Sequence, residues 1–76
     1  MNKKDKLRKI LIEVLELDAN NLPDMITVDN SENWDSIGHY QIIEKLENEF
    51  NLIIEPYNVL ELVGEKEILN YLNETL

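Results

Sequence analysis

Apolar side chains at Leu7, Ile10, Leu11, Val14 and Leu15 follow the i, i+3, i+4, i+7, i+8 spacing of one buried helix face, which predicts an amphipathic helix over about residues 3–17. From Asp18 to Asp35 the periodicity stops. The stretch DANNLPDMITVDNSENWD is rich in Asn, Asp and Ser, carries Pro23, and keeps neither a 3.6- nor a 2-residue period, so a long ordered loop is expected. A connection of that length inside a small domain usually carries function, and Leu22, Met25, Ile26 and Val28 are expected to tack it onto the core.

Helical spacing resumes in SIGHYQIIEKLENEF, predicting a second helix over about 36–51. At 100° per residue, Ile42, Ile43, Leu46 and Phe50 share one face near His39 and are expected in the core. Ile37, Tyr40, Gln41, Glu44, Glu47 and Asn48 fall elsewhere, with bulky groups near the helix start and polar ones further along, as expected of a partner-docking surface. The segment LIIEPYNVLELV has strand-like β-branched residues, but Pro56 fits the first turn of a short third helix at about 57–63. Gly64 reads as a helix stop, and Ile68, Leu69, Tyr71, Leu72 and Leu76 predict a last amphipathic helix at about 65–75. Helix, long loop, helix, short helix, helix is an all-α order.

Length confines this pattern to one domain, because 76 residues bury too little surface for two cores. The chain has no cysteine, so it forms neither disulfides nor thiolate zinc sites, and stability must come from packing. Glu13 and Glu16 interrupt the apolar positions of the N-terminal segment, leaving neither a signal-peptide core nor a membrane span; a cytoplasmic location is expected. The net charge of −9 repels phosphate backbones and anionic lipid, which argues against nucleic-acid and membrane partners and favours proteins with basic patches. Five of the seven basic residues (Lys3, Lys4, Lys6, Arg8, Lys9) precede residue 10. Beyond it, two basic side chains face fifteen acidic ones, a net −13. The basic first turn opposes the helix dipole at a cost of some tenths of a kcal/mol.

Candidate chemistry centres on Asp35 and Ser36, where loop meets helix. Asp35 can cap free backbone N–H groups, and Ser36 can present its hydroxyl on the first turn, where unpaired donors and the positive end of the dipole suit a phosphate ester. Glycines occur only at Gly38 and Gly64, so no phosphate-binding glycine loop exists. The acids Asp18, Asp24, Asp29 and Glu32 lack the twelve-residue spacing and central glycine of a calcium loop, and no metal site is expected. His39, the only histidine, lies three residues after Ser36, but a half-buried packing role is favoured over a catalytic base. Trp34 precedes the cap, the position of a hydrophobic staple.

The run WDSIGHYQIIEKLENEF resembles the signature of the acyl carrier proteins, in which Asp-Ser-Leu opens the second helix and an acidic stretch ending Glu-Phe closes it. The resemblance spans nearly the whole chain. It implies a small four-helix bundle of three main helices and a short third one, monomeric and non-catalytic. It also implies a 4'-phosphopantetheine arm, donated by coenzyme A, esterified to Ser36 and carrying acyl or aminoacyl groups as thioesters. By the same resemblance Asp35 assists the phosphopantetheinyl transferase that installs the arm, helping to hold that enzyme's magnesium ion, and Ile37 replaces the usual leucine in partner docking. An acyl- or aminoacyl-loading ligase and a downstream acyltransferase or synthase complete the implied partners.

Asn33 and Trp34 stand where the family commonly has glycine and a small residue, and Gln41, Glu44 and Asn48 only partly reproduce the docking surface of fatty-acid-synthesis members. The resemblance thus points to a carrier of a specialised pathway, such as surface-polysaccharide or secondary-metabolite assembly. An aminoacyl or peptidyl carrier is the neighbouring alternative. An unmodified acidic adaptor, with Asp35 and Ser36 serving only as caps, is the alternative from another class.

Overall fold

The computed structural model describes residues 2–76, which form four α-helices: α1 (Lys3–Leu15), α2 (Ser36–Phe50), α3 (Pro56–Val59) and α4 (Glu65–Thr75). The chain is a small all-α fold with no strand among the described residues. A 3-10 turn at Val28–Asn30 and one antiparallel bridge, Thr27 to Gly64, order the loop between α1 and α2. No helix is long and apolar enough to cross a membrane among the described residues.

The apolar stripe of α1 faces two neighbours. Leu7, Leu11 and Leu15 are fully buried together with Ile42 and Leu46 of α2, Ile68 and Leu72 of α4, and Ile26 of the loop. Each such side chain contributes about 1.5–3 kcal/mol relative to an exposed one. Trp34, Ile54, Val59 and Leu62 extend this core, with Val14, Leu22, Val28, Phe50, Leu69 and Tyr71 only partly buried. Met25 and Leu76 do not join it as expected. They remain 47% and 56% exposed, Met25 because the anchor of its loop is Ile26 and Leu76 because it lies past the last turn of α4.

Helix ends account for the shifts in boundary. The first helix stops at Leu15, two residues short of the expected end, because Glu16 adopts a left-handed conformation (φ 54°, ψ 46°). Leu17 then donates its N–H back to the Ile12 carbonyl at 3.0 Å and turns its side chain toward the core. Asn51 (φ 53°, ψ 55°) closes α2 in the same manner, with Leu52 N–H donating to Glu47 O at 3.1 Å. The third helix starts at Pro56, which needs no N–H partner there, but lasts only one turn before the chain bends through Leu60–Val63. Gly64 is not a helix stop. Its extended backbone (φ −166°, ψ 165°) makes it the residue that caps the start of α4.

An ion pair between a part-buried arginine and a buried carboxylate joins the two ends of the sequence to the loop. Arg8 donates from Nε to Glu65 Oε2 at 2.7 Å and from Nη2 to the carbonyls of Pro23 and Asp24 at 3.0 and 2.7 Å. Glu65 Oε1 accepts the Ile26 N–H at 3.1 Å, and Glu65 N–H donates to the Ile26 carbonyl at 2.8 Å. The carboxylate is thereby almost wholly removed from water yet satisfied by a guanidinium and an amide. The basic cluster of α1 is thus partly explained: besides Arg8, Lys3 donates to Asn73 Oδ1 at 3.2 Å, and the Lys6 ammonium lies 5.8 Å from the Phe50 ring centre.

Candidate functional site at the start of the second helix

Asp35 occupies the N-cap of α2 with an extended backbone, and its Oδ1 accepts the Gly38 N–H at 2.8 Å. The Asp35 carbonyl accepts the His39 N–H at 2.8 Å. Ser36 is the first helical residue and is exposed. The amides of Ser36 and Ile37 have no acceptor within the helix, so the first turn offers donors and a positive dipole end beside the Ser36 hydroxyl.

Trp34 and Asn33 hold this turn in place. Trp34, 6% exposed, stacks on His39 with ring centres 6.2 Å apart and planes 28° apart. These two residues are N′ and N4 of the helix, so the staple forms with an imidazole where an aliphatic group is usual. The indole Nε1 donates to His39 Nδ1 at 2.9 Å, which puts the imidazole proton on Nε2, and Nε2 donates to the Val59 carbonyl at 2.6 Å. Both ring nitrogens are therefore engaged, and neither is free to take a proton from Ser36. Replacing His39 by Ala removes the acceptor of a buried indole N–H and the tie to α3. A stability loss of about 1–3 kcal/mol and a red shift of Trp34 emission are expected, read by urea unfolding and fluorescence. An unchanged midpoint and spectrum would show that the bridge is not formed in solution.

Asn33 has a structural role that its neighbours in sequence do not announce. Its Nδ2 donates to the Leu15 carbonyl at 2.8 Å, closing the open end of α1 and tying the segment before α2 to it. Its own carbonyl sits where a side chain at residue 38 would be: a Cβ built on Gly38 would overlap the Asn33 carbonyl oxygen. Backbone cannot yield as a flexible side chain does, so Gly38→Ala must displace the Asn33–Ser36 segment, at a cost of about 1–3 kcal/mol that a thermal melt would register.

The expected docking residues divide between two faces. Ile37 and Tyr40 are 72% and 63% exposed. Tyr40 borders a groove shared with Ser36, whereas Gln41, Glu44 and Asn48, all exposed, line a separate cleft between α1 and α2. Glu47 is half-buried and not a free surface charge, because its Oε2 accepts the Ile54 N–H at 2.9 Å and holds the chain after α2. Tyr57 and Leu60, 70% and 74% exposed, add apolar surface that the sequence did not assign to the site. Tyr57 lies in α3 and Leu60 at its C-terminal cap.

The groove measures about 410 Å³ and opens beside Ser36 and Asp35. Trp34, His39 and Tyr40 line it from the α2 side, and Val28, Leu60 and Val63 from the other. No family model, curated protein or solved structure matches this chain. The chemical reading therefore rests on the site itself. Among the described residues no cluster of three His, Asp or Glu side chains is placed to hold a metal ion. A covalent phosphodiester on Ser36 fits what is present, since the hydroxyl is exposed at a helix N-terminus and the one neighbouring carboxylate is turned to Gly38 N–H.

Proposed function

We propose that this chain is a carrier protein of the acyl carrier type, a four-helix bundle that holds acyl intermediates as thioesters on a 4'-phosphopantetheine arm attached to Ser36. The observation that carries the reading is the exposed Ser36 on the first turn of α2, flanked by an N-cap aspartate whose carboxylate is already committed to the helix. When attached, the arm supplies a flexible reach ending in a thiol. The residues of the chain supply its anchor: Ser36 the ester oxygen, the first-turn amides a favourable field for the phosphate, and Asp35 the cap and the carboxylate a transferase meets.

The reading extends to a cytoplasmic monomer whose partners are a phosphopantetheinyl transferase, an acyl- or aminoacyl-loading ligase and a downstream acyltransferase or synthase. The acidic surface, with Glu44 and Glu49 exposed on α2, favours the basic faces of such enzymes and speeds encounter with them. The exposed Ile37 supplies an apolar anchor beside the attachment point. Catalysis by the chain itself is disfavoured because His39 has no free nitrogen for Ser36.

The test is to incubate purified unmodified protein with coenzyme A, magnesium and a broad-specificity phosphopantetheinyl transferase, then record intact mass and map the modified peptide. One arm on Ser36 is expected. An unchanged mass with several active transferases would transfer the assignment to the acidic adaptor, which the exposed apolar group of Ile37, Tyr40, Tyr57 and Leu60 also suits.

A further inference from the structure

His39 is the only histidine of the chain and Trp34 the only tryptophan, and the fold stacks one on the other. The indole Nε1–H donates to His39 Nδ1 at 2.9 Å, while His39 Nε2–H donates to the Val59 carbonyl at 2.6 Å. One acceptor and one donor are thus required of the ring at the same moment, and only the neutral imidazole with its proton on Nε2 has both. A second proton would make Nδ1 a donor facing another donor. Trp34 is buried, so its N–H would be left without an acceptor, and the half-buried imidazole is the partner with room to swing away. Because the ring is rigid, a swing that clears Nδ1 from the indole also carries Nε2 off the Val59 carbonyl.

What this ring holds has few other ties. The third helix is a single turn with one buried side chain, Val59, and among the described residues no other side-chain hydrogen bond reaches it. Nor do the surroundings offer a protonated ring a counter-charge, since among the described residues no carboxylate pairs with either ring nitrogen. On α2 the titratable neighbours are Asp35, whose Oδ1 is engaged by the Gly38 N–H, and Tyr40, whose ring meets the imidazole edge-on at 6.3 Å between centres. The loop brings Val28 and Trp34 to this side of α2, and α3 with the turn after it brings Val59, Leu60 and Val63, none of which titrates. We propose that His39 is an acid-sensitive latch: the neutral ring clasps α3 to α2 through Trp34 and Val59, and uptake of one proton releases it. The closed form has no place for the second proton and the open form has, so acid favours the open form. Histidine side chains change charge between about pH 5 and 8, whereas ordinary carboxylates titrate near about 4, which separates the latch from the acidic surface. The latch is independent of the carrier reading, because it needs no arm on Ser36.

The experiment takes the unmodified, nitrogen-labelled wild-type chain from about pH 7.5 to about pH 5 by NMR, where one imidazole and one indole N–H are observed without overlap, and records Trp34 emission alongside. The same series is run on His39→Gln, whose side-chain amide supplies one acceptor and one donor but takes up no proton in this range. As the imidazole nitrogens acquire the shifts of the doubly protonated ring, the indole N–H and the Val59 and Leu60 amides are expected to move in step and the emission to shift to the red. In His39→Gln these changes are expected to be lost. An imidazole that gains its proton while the indole and Val59 signals stay in place would overturn the latch, as would an imidazole that stays neutral throughout the series. An identical response in His39→Gln would also overturn it and assign the response to the carboxylates. If His39→Gln does not fold, the wild-type series decides by itself, through the coincidence or separation of the imidazole and indole titrations.

Discussion

Alanine at position 36 is expected to keep the protein at its unmodified mass under conditions in which the wild-type chain gains one phosphopantetheine arm. No other change of one oxygen atom in this molecule is expected to do as much. On the proposed carrier reading the loss should be complete rather than partial, because the Ser36 hydroxyl oxygen would be the atom that forms the phosphodiester bond. The fold should not notice. Ser36 is exposed, the helix cap is the neighbouring Asp35, and substitutions at such surface positions stay within about 0.5 kcal/mol. Circular dichroism and urea unfolding of the variant should therefore overlay the wild type while mass spectrometry separates them. An arm found on Ser36→Ala would mean that another hydroxyl carries it. Retained biological function without any arm would favour an adaptor.

The largest effect on stability is expected from Arg8→Met, which keeps much of the side chain's length but removes the guanidinium from Glu65. The carboxylate would then remain buried with the Ile26 amide as its principal partner, and stranding one member of such a pair costs about 3–5 kcal/mol. Against total stabilities of roughly 5–15 kcal/mol, that is a drop in melting temperature of upwards of about 10 °C for a domain of this size. Thermal unfolding by circular dichroism would measure it, and a melting point within a degree or two of the wild type would refute the role assigned to the pair. Arg8→Met/Glu65→Met should recover much of the loss, because two apolar side chains leave no buried charge unpaired.

The hydrogen bond that Arg8 donates to Glu65 raises the pKa of Arg8, opposed by burial and aided by the charges of Glu65 and Asp24. A cation whose folded pKa exceeds its unfolded one stabilises fully below the unfolded value and loses that contribution only as pH rises through the folded value. For arginine this lies in strongly alkaline solution. The Arg8 side of the contact should therefore add no pH dependence at neutral or mildly alkaline pH.

The helices were legible because their signals are local. Period 3.6 in α1, α2 and α4, Pro56 at the start of α3, and Asp35 before an apolar run each follow from neighbours within a few residues. The staple of Trp34 was legible for the same reason, being one turn from its partner. What escaped was set by contacts distant in sequence. Glu65 reads as an ordinary first-turn acid, and nothing near it indicates that Arg8, 57 residues earlier, will meet it. Gly64 looked like a stop because glycine frequently ends helices, but the bridge to Thr27 draws it into an extended cap. Glu47 looked like a surface charge until the chain after α2 folded back to place the Ile54 amide against it. At the site, the position of Ser36 was readable, whereas the groove was not, since its walls come from the loop, α2 and the turn after α3.

The dependence of the loop on residues 63–65 has a consequence for the order in which the molecule matures. Val28 is tied to Val63, Thr27 to Gly64 and Ile26 to Glu65, so the segment leading into Ser36 is pinned by a part of the chain made well after it. A chain emerging from the ribosome exposes α1, the loop and Ser36 before any of those pins exists. The serine is thus synthesised early but set in its final frame late, and a transferase that reads the loop as well as the helix would act on the completed protein rather than on the growing chain.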